Sequence, residues 1–252
     1  MRSKLMDICT TADNLAMGLS KNRLQHRRYK MYTSMERALE ILRSGNMYFS
    51  TGRNWNDLQD RELMSRGRQY GGCYSWSTVE NIAMWMLYGA ECGKNGAMLD
   101  FPKSIMAELV SSEYIEVGSF ENGTFVTKAK LLAGQDFHIK LIDVIYSQFS
   151  KKGDRVMLTL GDEHVIVPAE CLNHAEIFHK YYAWAYEREC RLIIHVNEGV
   201  MADRELPPVA RIRLSENAVR IMKDNLYRSP IFDGSCDLGK PSKLFNLVEW
   251  KL

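Results

Sequence analysis

Residues 114–167 decide the fold: YIEVG (114–118), TFVTKAK (124–130), IKLIDVIY (139–146), RVMLTL (155–160) and HVIV (164–167). Each is a short run rich in β-branched and aromatic residues. Gly153, Gly161 and neighbouring acids supply turns between them. Five strands in succession, with no intervening helical pattern, rule out a regular β-α-β alternation. Outward from this block the pattern is mixed. Upstream, strands are expected at 29–33, 46–51, 70–75 and 97–101. A helix from Ser34 carries Met35, Ala38, Leu39, Ile41 and Leu42 at helical spacing and stops at Gly45. A short helix is expected at 58–67. Ser77-Thr78-Val79-Glu80 has the form of a capping box, and it predicts a helix holding Ile82, Trp85, Met86 and Tyr88. Pro102 opens a helix to about residue 112. Downstream, the spacing predicts a long helix over 168–184, strands at 190–196, 209–214 and 244–250, and a helix capped by Ser215. The fold class is α+β, with mixed or antiparallel sheets flanked by helices. No Gly-x-Gly-x-x-Gly or P-loop pattern is present.

The chain has 252 residues, 46% hydrophobic and 25% charged, which is ordinary globular usage and enough to bury a sizeable core. A net charge of +2 gives no global field for nucleic acid, so any such contact must come from a local patch. Six cysteines without C-x-x-C spacing indicate a reducing compartment rather than a disulfide framework. Without an apolar leader or an 18-residue apolar run, a soluble, cytoplasmic chain with no membrane partner is expected. Residues 1–28 are read as a basic arm ending in Lys21, Arg23, Arg27 and Arg28, and residues 29–252 as a single domain.

Four groups of residues can carry chemistry. In Tyr186-Glu187-Arg188-Glu189-Cys190-Arg191, two glutamates two apart share a face if the backbone is extended; like charges raise each other's pKa, while Arg188 and Arg191 lower them. A solvated, salt-bridged strand end is the plain alternative. In Tyr74-Ser75-Trp76-Ser77, one serine caps the next helix and the other can face a cleft and bind sugar or phosphate oxygens. Tyr29-Lys30-Met31-Tyr32 offers a donor and rings, although strand aromatics usually serve the core. Cys171, His174, Glu176 and His179 have poor zinc geometry, since the two histidines lie about 140° apart on a helix; no metal is expected.

Taken in order, Tyr29-Lys30-x-Tyr32, Leu42 to Ser50 (LRSGNMYFS), Asn54-Trp55-Asn56-Asp57, Tyr74 to Ser77, Met84-Trp85-x-x-Tyr88, Gly96 and Tyr186-Glu187-x-Glu189-x-Arg191 resemble a widespread bacterial domain-of-unknown-function family, from residue 29 to about 196. Leu58 stands where that family has proline. The layout is in turn similar to ADP-ribosyltransferases, with a longer gap between the Ser and Glu motifs that must hold an insertion. The resemblance implies NAD as substrate and no metal. Ser75-x-Ser77 and Glu187-x-Glu189 would fill the Ser-x-Ser and Glu-x-Glu places, and Tyr29, Lys30 or Tyr32 the first-strand place. It implies that Glu189 stabilises the ribosyl cation, Glu187 positions or deprotonates the acceptor, Ser75 holds the ribose, and Tyr32 and Trp85 pack on the ring. Ser50, Ser77 and Tyr88 join the cofactor set. It also implies a bacterial toxin or phage-defence setting, with a possible antitoxin or chaperone. The acceptor is nucleic acid, RNA favoured, or protein. Arg27, Arg28, Arg53 and Trp55 are the expected target contacts, with Arg61, Arg66 and Arg68 adding to a basic lean. Two other readings stand beside this one: a non-catalytic RNA- or protein-binding module, and a metal-dependent nuclease built on Asp57, Asp60 and Glu62.

Overall fold

Ser34 ends the first strand, β1 (Arg28–Ser34), and starts the first helix, α1 (Met35–Ser44). Its side chain accepts from the Arg37 amide at 3.2 Å, a cap that contributes about 1 kcal/mol over alanine. The helix buries Met35, Ala38, Ile41 and Leu42, and Gly45 ends it at φ 68°, where glycine carries no Cβ penalty. The computed structural model describes residues 24–53, 55, 57–151, 153–172, 178–202 and 205–244. Most of the basic arm, Asn54, Asn56, His174, Glu176 and the expected strand 244–250 therefore lie outside, or largely outside, the described residues.

After α1 come β2 (Asn46–Ser50), α2 (Leu58–Arg66), β3 (Gln69–Ser75), α3 (Ile82–Tyr88), β4 (Gly96–Pro102) and α4 (Lys103–Val110). The strand-rich block follows: β5 (Tyr114–Glu121), β6 (Thr124–Leu132), β7 (Phe137–Asp143), β8 (Ile145–Phe149), β9 (Arg155–Leu160) and β10 (Glu163–Pro168). The remainder holds β11 (His179–Tyr181), β12 (Glu189–Val196), β13 (Val209–Arg213), α5 (Glu216–Lys223), β14 (Leu226–Arg228) and β15 (Lys240–Pro241). This is a mixed α+β structure.

The large sheet runs β15-β14-β4-β1-β3-β2-β13-β5-β6, and β12 pairs both β3 and β7. The second sheet runs β10-β9-β8-β11. β3 is a branch point. One edge pairs with β12 along its whole length, Gln69 to Ser75. The other edge meets β1 only at Ser75 and β2 only at Gly71. Between those two points β1 and β2 diverge and the sheet forks. The main core, including Tyr29, Phe49, Tyr70, Leu99 and Leu192, packs one face under α1, α4 and α5. A second core joins Ile142 and Ile193 to Met64 of α2 and to Ile145, Val156 and Leu158 of the small sheet.

Three expectations change. Residues 139–146 form two strands rather than one. At Val144, whose N–H donates to Glu189 O at 2.9 Å, the chain leaves the large sheet and enters the small one. The helix expected over 168–184 is absent: the described part is a 3-10 turn (Ala169–Leu172), β11, and a second 3-10 turn (Tyr182–Glu187). The capping box does not form. Asn81 caps α3 by accepting from the Ala83 amide at 2.9 Å, and Glu80 instead accepts from Trp85 Nε1, Ser242 Oγ and the Lys243 amide.

Burial also sets a pH dependence. His179 is pushed down to about 4 by burial and by Arg191, and His195 to about 4 by burial, Lys140 and His138. The unfolded chain binds these protons near the ordinary histidine value of about 6.5. Stability is therefore fully present above that pH and is lost as pH falls from 6.5 toward 4. Urea unfolding should show this decline, and His195→Gln should flatten it by about 1–3 kcal/mol across the window.

Candidate functional site

The fork in the large sheet holds a cavity of about 410 Å³, a size suited to a small-molecule ligand. β1 contributes Lys30 and Tyr32, β2 contributes Ser50, and β3 contributes Gly71 to Ser75 as the floor. Among the described residues no strand pairs with the floor between Gly71 and Ser75 on this side. α3 adds Tyr88, and the loop before α2 adds Trp55 and Asp57. Gly71 is required here, since a Cβ would meet Trp55 at 2.8 Å. The back wall is Glu187, Glu189, Lys180, Asp60 and Trp184.

Glu187 and Glu189 do converge, though not as an extended pair. Glu187 ends a 3-10 turn, Glu189 begins β12, and Arg188 between them takes a left-handed conformation at φ 44°. Ser75 Oγ donates to Glu187 O at 2.7 Å and holds that turn. Tyr146, delivered by the switch into the small sheet, accepts from the Glu189 amide at 2.8 Å. Lys180 Nζ lies 2.7 Å from Glu187 Oε2, 3.1 Å from Glu189 Oε2 and 3.6 Å from Asp60 Oδ2. Arg191, fully buried, donates to Glu189 Oε1 at 2.7 Å and to both Asp60 oxygens at 2.7 and 2.9 Å. Three carboxylates thus share two cations out of bulk water.

This arrangement drives the two glutamates apart. Burial opposes ionisation of Glu189, but Arg191 and Lys180 outweigh it and hold the carboxyl well below the usual carboxylate range. Burial and the neighbouring Glu189 charge push Glu187 up, against the pull of Lys180 and Tyr88, whose hydroxyl donates to Glu187 Oε1. Burial disfavours the Lys180 ammonium, yet Glu189 and Glu187 raise it above the ordinary lysine value. Cys73 opens onto the cavity beside Glu189. Adjacent carboxyls whose environments push them in opposite directions are a pattern that acid–base sites use.

Of the expected site residues, Lys30, Tyr32, Ser50, Ser75, Tyr88, Glu187, Glu189 and Trp55 all line this cavity. Lys30 donates to Ser77 O, and burial, partly offset by Asp100, lowers its pKa. Tyr32 accepts from the Asn81 amide at 3.3 Å. Three lie elsewhere. Tyr29 is a core residue, 1% exposed; Trp85 is 0% exposed, edge-on to Tyr32 at 5.0 Å, and presents no face to a ligand; Ser77 is buried outside the lining. The expected target-contact arginines are also apart from the cavity. Arg28 pairs with Asp100 at 2.9 Å, Arg53 pairs with Glu205, and Arg27 is exposed. Lys180, Asp60, Tyr146 and Trp184 were not anticipated in these roles. The one local signal for them was the aromatic density of Tyr181 to Tyr186 immediately before Glu187.

No protein-family model, no curated protein and no solved structure matches this chain. Among the described residues no helix is long and apolar enough to cross a membrane.

Proposed function

We propose that the chain is an NAD-consuming ADP-ribosyltransferase that modifies nucleic acid, RNA favoured, or protein, as a bacterial toxin or phage-defence effector in the cytoplasm with an antitoxin or chaperone partner. The observation that carries the reading is the convergence of Glu187 and Glu189, bridged by Lys180, on one ligand-sized cavity. Breaking the C1′–N bond sends the bonding electrons out with nicotinamide and leaves positive charge on the ribose. The Glu189 carboxylate stabilises that charge, as carboxylates do in glycoside cleavage. An acceptor N–H or O–H attacks C1′ from the open side and gives its proton to Glu187. Tyr32, Trp55 and Trp184 supply flat faces for rings, and Lys30 is the buried cation on the far wall. Ser75 acts by holding the Glu187 turn.

Incubation with adenylate-labelled NAD and separate pools of RNA, DNA and protein tests this directly. Transfer of label to one pool supports the reading and identifies the acceptor class; the absence of both transfer and nicotinamide release would overturn it. The pH profile gives a second check. Glu187 must be ionised to accept a proton, so activity is present above its raised pKa and is lost as pH falls through it. The acid limb should lie above the ordinary carboxylate range, and Tyr88→Phe, which removes a hydrogen bond to the ionised form, should move that limb further up.

A second reading, a non-catalytic binding module, draws on the ion pairs themselves, since Glu187 and Glu189 are both bound by cations. It requires ligand binding to survive Glu189→Gln with no turnover in either protein. For the metal-nuclease reading, Asp57 caps α2, Asp60 is held by Arg191 and Glu62 is exposed on the helix.

A further inference from the structure

Asp60 has no role in the chemistry just described, yet it is 3% exposed and its two oxygens both face one guanidinium. It sits on the first turn of α2, where the Asp57 side chain accepts from the Asp60 amide at 3.2 Å. Arg191 projects from β12 and is shared. Its Nε and Nη2 reach Glu189 at 2.7 and 3.2 Å, and its Nη1 and Nη2 reach Asp60 at 2.9 and 2.7 Å. The guanidinium is rigid and planar, so a carboxylate gripping one edge fixes what the other edge presents. The same guanidinium lies 5.4 Å from the Trp55 ring centroid, and Trp55 reaches the cavity from the loop that leads into α2.

We propose that Asp60 is a positioning residue: it clamps Arg191, and through Arg191 it fixes the Glu189 carboxylate and the Trp55 wall of the cavity together. Ligand contact at Trp55 and the geometry of Glu189 are thereby set by one buried link. The other groups facing Glu189 are Lys180 from β11, Glu187 from the preceding turn, Cys73 from β3 and Tyr146 from β8. None of these holds Arg191 from the α2 side. This inference rests on the proposed role of Glu189, so its test has one readout that needs no turnover.

The test compares Asp60→Asn, Asp60→Glu and the unaltered protein, each checked for folding by circular dichroism and thermal unfolding. Glutamate side-chain carboxyls are labelled with carbon-13, and the Glu189 signal is assigned by its loss in Glu189→Gln. A clamp predicts that Asp60→Asn loosens Arg191, so that Glu189 titrates at a higher pH than in the unaltered protein. Asp60→Glu should restore the unaltered behaviour at least in part. A mere structural ion pair predicts the opposite sign: removing a neighbouring negative charge leaves Glu189 as acidic as before, or more so, and that result overturns the proposal. In the kinetic arm, nicotinamide release should fall by about 100-fold in kcat for Asp60→Asn, with KM changed less than tenfold, and recover in Asp60→Glu. A shifted Glu189 titration with no NAD cleavage in any protein would leave the clamp standing and defeat the transferase reading. Normal titration with normal cleavage would do the reverse. Should Asp60→Asn fail to fold, Asp60→Ser takes its place in both readouts: an unshifted Glu189 signal together with unaltered kcat counts against the clamp.

Discussion

Glu189→Gln is expected to cut nicotinamide release by about 1000-fold or more while leaving NAD affinity within a few-fold. The substitution is isosteric, removes the charge, and turns one acceptor oxygen into an amide donor. The lost interaction is one that strengthens as the ribose becomes positive, so its loss appears in kcat rather than in binding. About 4 kcal/mol of transition-state stabilisation corresponds to that factor. The fold should tolerate the change, because Arg191 keeps its contact with Asp60 and Lys180 keeps its contact with Glu187. A rapid-quench measurement of nicotinamide, together with isothermal titration of NAD, separates the two terms. A loss of affinity with kcat unchanged would show that Glu189 binds the ground state and does no more.

The largest effect on stability should come from Arg191→Met. Arg191 is fully buried and bridges two acids. Removing it leaves Asp60, Glu187 and Glu189 facing the single cation Lys180. Breaking a buried pair from one side costs about 3–5 kcal/mol, because the partner charge stays behind without compensation. For a chain of this length that corresponds to a fall of about 10 °C or more in Tm. The double change Asp60→Leu with Arg191→Met should recover much of the loss, since well-packed apolar groups can replace a buried pair at little cost. Activity should not recover with it, since Glu189 has still lost its guanidinium. A double variant that regained both would show that the arginine serves packing alone.

How much of this could be read from the sequence depends on how local each cause is. Ser34, Gly45 and Ser215 act within one helical turn, and all three cap as expected. Ser77 and Glu80 have the spacing of a capping box, but Glu80 finds partners 162 and 163 residues away, and no local pattern announces a competing partner at that distance. The switch at Val144 was invisible because the buried run continues unbroken from Leu141 to Ser147 across both strands. The aromatic run Tyr181 to Tyr186 mimics a helical pattern, since periods of 3.0 and 3.6 barely differ over six residues. That misreading hid Lys180. Glu187 and Glu189 were legible as a pair, but the left-handed Arg188 that brings them together was not. Asp60 was legible only as one of the clustered acids Asp57, Asp60 and Glu62, because Arg191 lies 131 residues further on.

The fork at β3 has a mechanical meaning as well as a chemical one. β1 is joined to β3 at one residue pair and β2 at another, so each is a short weld at the end of a long arm. One arm carries β4, β14 and β15, and the other carries β13, β5 and β6. Elsewhere in the sheet neighbouring strands pair over two to eight residues, so the line between the welds has the fewest rungs. A molecule seated there touches both arms and acts as the missing rungs. It would tie together two arms that the strands themselves join only at Ser75 and Gly71.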